Sequence, residues 1–416
     1  MTARARELLL GAFQAAVRAA DAREALASFL PEVPSGRTVA VGAGKAAARM
    51  ALALEEAWPG PLSGMVVVPD GHAPLQPRQI QLRAAAHPVP DERGIRAADE
   101  ILETLRELRP EDLVLCLLSG GASALLSAPW GVTLQQKADL TRELLRSGAS
   151  IREINAVRKH LSRVKGGQLA RACAPARVVS LIVSDVVGDD LSVIGSGPTA
   201  PDPTTFTEAL LILERYRVAA PEARRHLQRG ALGELPETPK PGDAVFSRVE
   251  NQLIVTNARA LDAARHFLTG AGVKARVLSD SIEGPAREAA WAHARASGEL
   301  APGQALLSGG ETTTVVQGTG RGGRNLEFLL ALATELSGRE GIYALAADTD
   351  GIDGSSHAAG AVITPDTLAR AAQIGLDAWT FLEASDAHSF FEQLGDLVVT
   401  GPTGTNVNDF RLLMRL

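Results

Sequence analysis

Short apolar runs, each followed by a glycine-bearing loop and then a longer stretch with helical spacing, recur along this chain and constrain its fold most. Arg37–Val41 leads through Gly42 and Gly44 into a helical segment, Lys45–Trp58. Leu113–Leu118 leads into SGGAS, and Val178–Val183 into SDVVGDD, with helical spacing at 95–108 and 134–147 between them. Gly64–Val68 is a further strand, closed by a turn at 69–71. Apolar strands alternating with amphipathic helices predict a parallel sheet covered on both faces, with ligands at the carboxyl ends of its strands.

At 416 residues the chain exceeds what a single hydrophobic core holds, so two domains are expected. The proline-rich stretch PEARRHLQRGALGELPETPKPGD suggests the boundary, giving an N-terminal α/β domain over 1–235 and a second over 245–416. In the second part 251–255, 275–278, 305–307, 312–317 and 343–347 are predicted strands, and 258–269, 286–296 and 325–337 predicted helices. The first twenty residues carry apolar positions at helical spacing interrupted by Arg18, and are read as an amphipathic helix rather than a targeting signal.

Forty-two basic against forty-eight acidic residues leave a net charge of −6, with no basic stretch dense enough for nucleic acid or a membrane surface. No apolar run reaches membrane-spanning length, and a cytoplasmic location is expected. Cys116 and Cys173 lack zinc-site or disulfide spacing, and Cys116 is expected to be an inert buried thiol.

Several loops carry residues suited to anion chemistry. GAGKA at 42–46 is not a P-loop, because Val39 and Ala46 stand where glycine and Ser/Thr are needed. It fits a looser dinucleotide pattern through Gly42, Gly44 and Ala47 with Asp70 after the next strand, so a nicotinamide reductase is one reading. Lys45 favours the other, since phosphoryl transfer places charge where a cation is useful. Ser119, Gly120, Gly121 and Ser123 offer small groups for a phosphate or carboxylate. Arg158, Lys159, Arg163 and Lys165 concentrate four cations, with 159 and 163 on one face if the helix continues. Asp185, Asp189 and Asp190 follow an apolar strand, where Mg²⁺ or a hydroxyl proton could be taken.

In the second half, Gly309, Gly310 and Glu311 are read as one turn. Gly318, Gly320 and Gly323, with Arg321 and Arg324 before a helix near Asn325, make another that suits an anion. Asp348, Asp350 and Asp353 open like a calcium loop, but Ala359 takes the place of its closing glutamate, so Mg²⁺ is the better fit. Thr403, Thr405, Asn406 and Asn408 supply neutral donors and acceptors for hydroxyls or an adenine. A ligand-binding regulatory protein built on the same loops is the non-enzymatic alternative.

GAGKAA, LLSGGASALL, INAVRKHLSRVKGG, SDVVGDDLSVIGSGPT, SGGETTT, GGRNLE, DTDGIDGSS and GTNVND, in this order over nearly the whole chain, resemble the glycerate 2-kinase family, whose C-terminal part is the MOFRL domain. The resemblance implies a larger N-terminal Rossmann-like α/β/α sandwich and a smaller C-terminal α/β domain. It also implies phosphorylation of D-glycerate by ATP with Mg²⁺, giving 2-phosphoglycerate in a cleft between the domains. Lys45 and Arg324 are the active-site residues it implies, joined here by Asp189, with Asp185, Asp189 and Asp350 as candidate metal ligands. Members are also called hydroxypyruvate reductases, which keeps the NAD(P)H reading as the alternative. No nucleic-acid or membrane partner is expected, and a homodimer is left open.

Overall fold

The structure, a computed structural model, describes residues 2–71 and 75–416. It forms two compact units: residues 22–254, and residues up to 21 together with 255–416. The first unit holds a six-stranded sheet of β1 (Thr38–Ala43), β2 (Leu62–Pro69), β3 (Ile80–Ala85), β4 (Leu113–Leu118), β5 (Arg177–Val183) and β6 (Val249–Val255), in the order β3-β2-β1-β4-β5-β6. The β3/β2, β2/β1, β1/β4 and β4/β5 pairs are parallel. Every residue of β1 and β4 is buried, as continuous apolar runs in a doubly covered sheet should be. Strand order reverses between β1 and β4, so their carboxyl ends open a crevice at the switch point. Cys116 lies inside β4, and burial pushes its thiol up to about 12.

The second unit departs from the expected rhythm. Its sheet contains β7 (Lys274–Pro285), β8 (Gln304–Thr313), β9 (Ile342–Asp348), β10 (Gly360–Ile363), β11 (Leu397–Val398) and β12 (Asp409–Arg415), in the order β11-β10-β9-β12-β8-β7. Only β7 and β8 are parallel; β12 runs antiparallel to both its neighbours, β8 and β9. The chain's last strand is thus central, and it is buried from Asp409 to Met414.

Two boundaries move. Helix Ala3–Ala19, expected in the N-terminal domain, belongs to the second unit. Its apolar stripe is buried there, with Phe13 5.5 Å from the Phe410 ring of β12. Gly11 lets the helix sit close: a Cβ there would lie 2.3 Å from Phe267. The 218–243 stretch is a folded part of the first unit rather than a linker. It contains helix Pro221–Ala231, with proline at a helix start where its missing N–H is harmless. Glu237 there holds the buried His160 imidazole at 2.8 Å. The predicted strand 312–317 is the tail of β8, which ends at Thr313.

Candidate active site

In the first unit the expected loops meet at the switch point. The Lys45 N–H donates to Gly120 O at 2.8 Å and the Ala46 N–H to Ser119 Oγ at 3.0 Å, stitching the loop after β1 to the loop after β4. The glycines have a stated purpose. A Cβ on Gly44, whose φ is +141°, would lie 2.0 Å from Ser119 Oγ, and one on Gly120 would lie 1.9 Å from Asp185 Oδ2. Gly120 therefore lets the Asp185 carboxylate rest against the turn. Burial raises the pKa of Asp185 and the positive Lys45 opposes that rise, so the two share one microenvironment. Gly121, at φ +84°, starts the short helix Ala122–Leu125, and a Cβ there would lie 3.0 Å from the His87 imidazole and 3.5 Å from Lys45 Cγ.

Asp189 follows in a turn closed by its N–H on Val186 O at 3.0 Å, with φ +55°. Ser123 Oγ accepts from Arg158 at 2.6 Å and from Lys165 Nζ at 3.1 Å, and Lys165 also donates to Ser123 O at 2.7 Å. Lys159 does not join them. It is buried beside Asp202 at 3.4 Å, a structural ion pair. Arg163 is also elsewhere, because the helix ends at His160 and Arg163 reaches Asp99 at the surface.

In the second unit a charged cluster surrounds Arg324, the first residue of helix Arg324–Leu336. Arg324 Nε donates to Asp409 Oδ1 and Nη2 to Asp348 Oδ2, both at 2.6 Å. Those carboxylates raise its pKa against the effect of burial. Its Nη1 donates to no partner among the described residues. Asp409 also accepts from Arg411, whose guanidinium lies 5.0 Å over the Phe328 ring. Asp348 is buried and its pKa is driven well above the ordinary value, chiefly by desolvation. Glu311 adds its negative field to Arg324 from β8.

Several expectations fail here for identifiable reasons. Gly309 and Gly310 are not a turn but part of β8, paired with Phe410 and Asp409 of β12. Glycine is needed at 310 because a Cβ would lie 2.3 Å from the Ile282 backbone of β7. The helix start at Arg324 is not an open anion site. Asp353 already caps it, accepting from the Asn325 and Leu326 N–H groups at 3.0 and 2.9 Å. Asn325 is fully buried and its amide donates to Asp353 and Asp409, so it braces the cluster instead of meeting substrate. Thr405 is buried with its hydroxyl on Ala20 O, where it ties down the end of the first helix. Asn406 Oδ1 accepts from the Asn408 N–H at 2.8 Å, and Asn408 O accepts from Thr349.

Of the three candidate metal ligands, Asp185 and Asp189 lie in the first unit and Asp350 in the second. Asp350 instead shapes its own loop, donating its N–H to Asp348 and accepting from Ile352. Among the described residues, the group of three metal-type side chains within 4.8 Å is His357, His388 and Glu392. Its imidazoles do not suit Mg²⁺, which prefers oxygen. Mg²⁺ typically takes one or two protein carboxylates plus phosphate oxygens, and the Asp185–Asp189 loop offers oxygen donors of that kind.

Sequence reasoning missed Asp409 and Lys137. Asp409 opens the apolar run FRLLM, an acid entering a buried strand, and that was its signal. Lys137 lies within the helix Leu134–Arg146, and its amine reaches Leu161 O at 2.8 Å next to Arg158.

A parallel sheet with a cation, a carboxylate and small-residue turns at its switch point, together with a mixed-sheet unit carrying a buried arginine–aspartate cluster, defines an α/β enzyme acting on a small anion. Residues 8–228 match a domain of unknown function, DUF4147, and residues 304–409 match the MOFRL family. A Thermotoga maritima protein named D-glycerate 2-kinase is 40% identical, the match covering 92% of each chain. A crystal structure of glycerate kinase from that organism superposes with a TM-score of 0.92 at 38% identity, covering 99% of both chains. An Agrobacterium vitis protein named as a hydroxypyruvate reductase is 48% identical, over 99% of this chain and 94% of its own. The chain belongs to the glycerate 2-kinase family.

Proposed function

We propose that this protein transfers the γ-phosphoryl group of ATP to the C2 hydroxyl of D-glycerate, releasing ADP and 2-phosphoglycerate. The observation that carries this reading is Lys45, fixed by the Ser119–Gly121 turn beside a half-buried Asp185 at the switch point. In the proposed step the C2 oxygen bonds to the γ-phosphorus while the bond to the ADP oxygen breaks. Asp185, whose raised pKa suits a base, orients the hydroxyl and takes its proton. Lys45 and the Nη1 of Arg324 neutralise charge on the transferring oxygens. Asp409 and Asp348 hold Arg324 in one orientation, so little rearrangement is needed during reaction. Mg²⁺, held by Asp189 and phosphate oxygens, would draw off further phosphate charge.

The reductase alternative fits the residues less well. The N–H groups of Gly44, Lys45 and Ala46, which would meet a pyrophosphate, already donate to Val67 O, Gly120 O and Ser119 Oγ. Asp70, the candidate ribose acid, is held by both terminal nitrogens of Arg93 at 2.6 and 2.7 Å.

The test is product identification by NMR after incubation with D-glycerate, ATP and Mg²⁺, with NADH and hydroxypyruvate in parallel. 2-Phosphoglycerate without NADH loss is expected, and Lys45→Met should lower kcat by about 10³-fold with the fold intact. NADH consumption without a phosphorylated product would overturn the proposal.

A further inference from the structure

The first unit contains a cavity of about 340 Å³ beside the Ser119–Ser123 turn, and its polar floor is basic. Lys137, Arg158 and Lys165 all line it, and no acidic residue is among its lining residues. Val89, Leu134 and Leu145 are among its apolar walls. Lys137 and Lys165 are buried, and each amine has only oxygen partners: Leu161 O for Lys137, and the carbonyl and hydroxyl of Ser123 for Lys165. Among the described residues, no carboxylate forms an ion pair with any of the three cations. The neighbours that act on Lys165 are the other two cations, and they add to burial in lowering its pKa, while Lys137 is brought down to about 7.

Three basic groups converge in one pocket without a counter-ion, where burial and mutual repulsion push them toward proton loss, and a bound anion would hold them charged and complete the site. A planar carboxylate matches the fork of Arg158 flanked by two amines. The site also lies close to the chemistry. Ser123, which two of the basic groups grip, follows Gly121 by two residues, about 3 Å of helical rise, and a Cβ on Gly121 would lie 3.0 Å from the His87 ring and 3.5 Å from Lys45 Cγ. A short 2-hydroxy acid anchored here by its carboxylate would extend its hydroxyl toward the Ser119–Gly121 turn and Asp185. A triphosphate with its cation suits this pocket poorly, since the pocket has no carboxylate to share a metal.

We propose that Lys137, Arg158 and Lys165 form the receptor for the carboxylate of the acceptor substrate, with Lys137, on the helix Leu134–Arg146, as one of its binding residues. This rests on the kinase reading for the identity of the acid.

The test compares Lys137→Met with Lys137→Arg, measuring KM for D-glycerate, KM for ATP, and the preference for D-glycerate over glycerol, which lacks the carboxylate. Lys137→Met should raise KM for glycerate about 10²-fold, leave KM for ATP within about twofold, and erode the preference over glycerol; Lys137→Arg should restore part of it. An unchanged KM for glycerate overturns the proposal, and so does a rise confined to ATP, which would assign the pocket to phosphate. Calorimetry with D-glycerate and no ATP separates this failure from that of the kinase reading. If the wild type makes no phosphoglycerate yet binds glycerate, loss of binding in Lys137→Met upholds the pocket, and retained binding overturns it. Should Lys137→Met not fold, Ala138→Phe, which fills the cavity from the adjacent position, must produce the same KM pattern or the proposal fails.

Discussion

Replacing Gly120 with alanine isolates the placement of Asp185 from everything else at the switch point. The built Cβ lies 1.9 Å from Asp185 Oδ2 and 2.6 Å from its Cγ, whereas ordinary contact begins near 3.4 Å. The carboxylate oxygen must therefore retreat by at least 3.4 − 1.9 = 1.5 Å. Gly120 does not occupy the left-handed region, so alanine fits the backbone there, and the obstructing group is the end of a side chain that can swing away. The fold should survive with a melting temperature within a few degrees of the wild type. A catalytic group displaced by about 1 Å loses on the order of 10²-fold in rate, equivalent to about 2.7 kcal/mol of barrier. The assay is steady-state ADP release with D-glycerate, paired with circular dichroism to confirm folding. Wild-type kcat in a folded Gly120→Ala protein would refute the role given to Asp185.

Two further outcomes follow from the second unit. Asp353 is buried with its pKa raised to about 6, so its folded form resists ionisation; the stability it contributes is present below about pH 4 and is lost as pH rises through about 6. Urea denaturation should show wild-type stability falling relative to Asp353→Asn between about pH 4 and pH 7, and a flat difference would contradict the burial argument. Phe13→Ala, which empties a buried site against Phe410, should cost about 3–5 kcal/mol, read as a lowered urea midpoint with unchanged slope.

The first unit was legible because its information is local. Each buried parallel strand is one apolar run ending at its own loop, so Lys45, the Ser119–Gly121 turn and Asp185 could be placed from neighbouring residues alone. The second unit was less legible because its decisive contacts span long separations. Arg324 meets partners 24 and 85 residues away, and β12 inserts between β8 and β9 with no sequence cue to its direction. The same cause explains Gly309 and Gly310. Two adjacent glycines suggest a turn, but here they admit the neighbouring β7 and β12 backbones to a continuing strand. Lys159 and Asn325 were misread because a cation or amide near a glycine loop looks available until its buried partner, Asp202 or Asp353, is known.

The alliance of helix Ala3–Ala19 with β12 has a consequence for how the protein is made. The helix leaves the ribosome well before its partner, the strand bearing Phe410, which emerges some 415 − 19 = 396 residues later. At ordinary rates of about 5–20 residues per second, roughly 20–80 seconds separate the two. Throughout that interval residues 22–254 can complete their own sheet while the apolar stripe of Leu8, Leu9 and Phe13 waits without its partner. During synthesis this first helix is a natural place for a chaperone to hold, and slowed translation lengthens the period in which it can pair wrongly with another nascent chain.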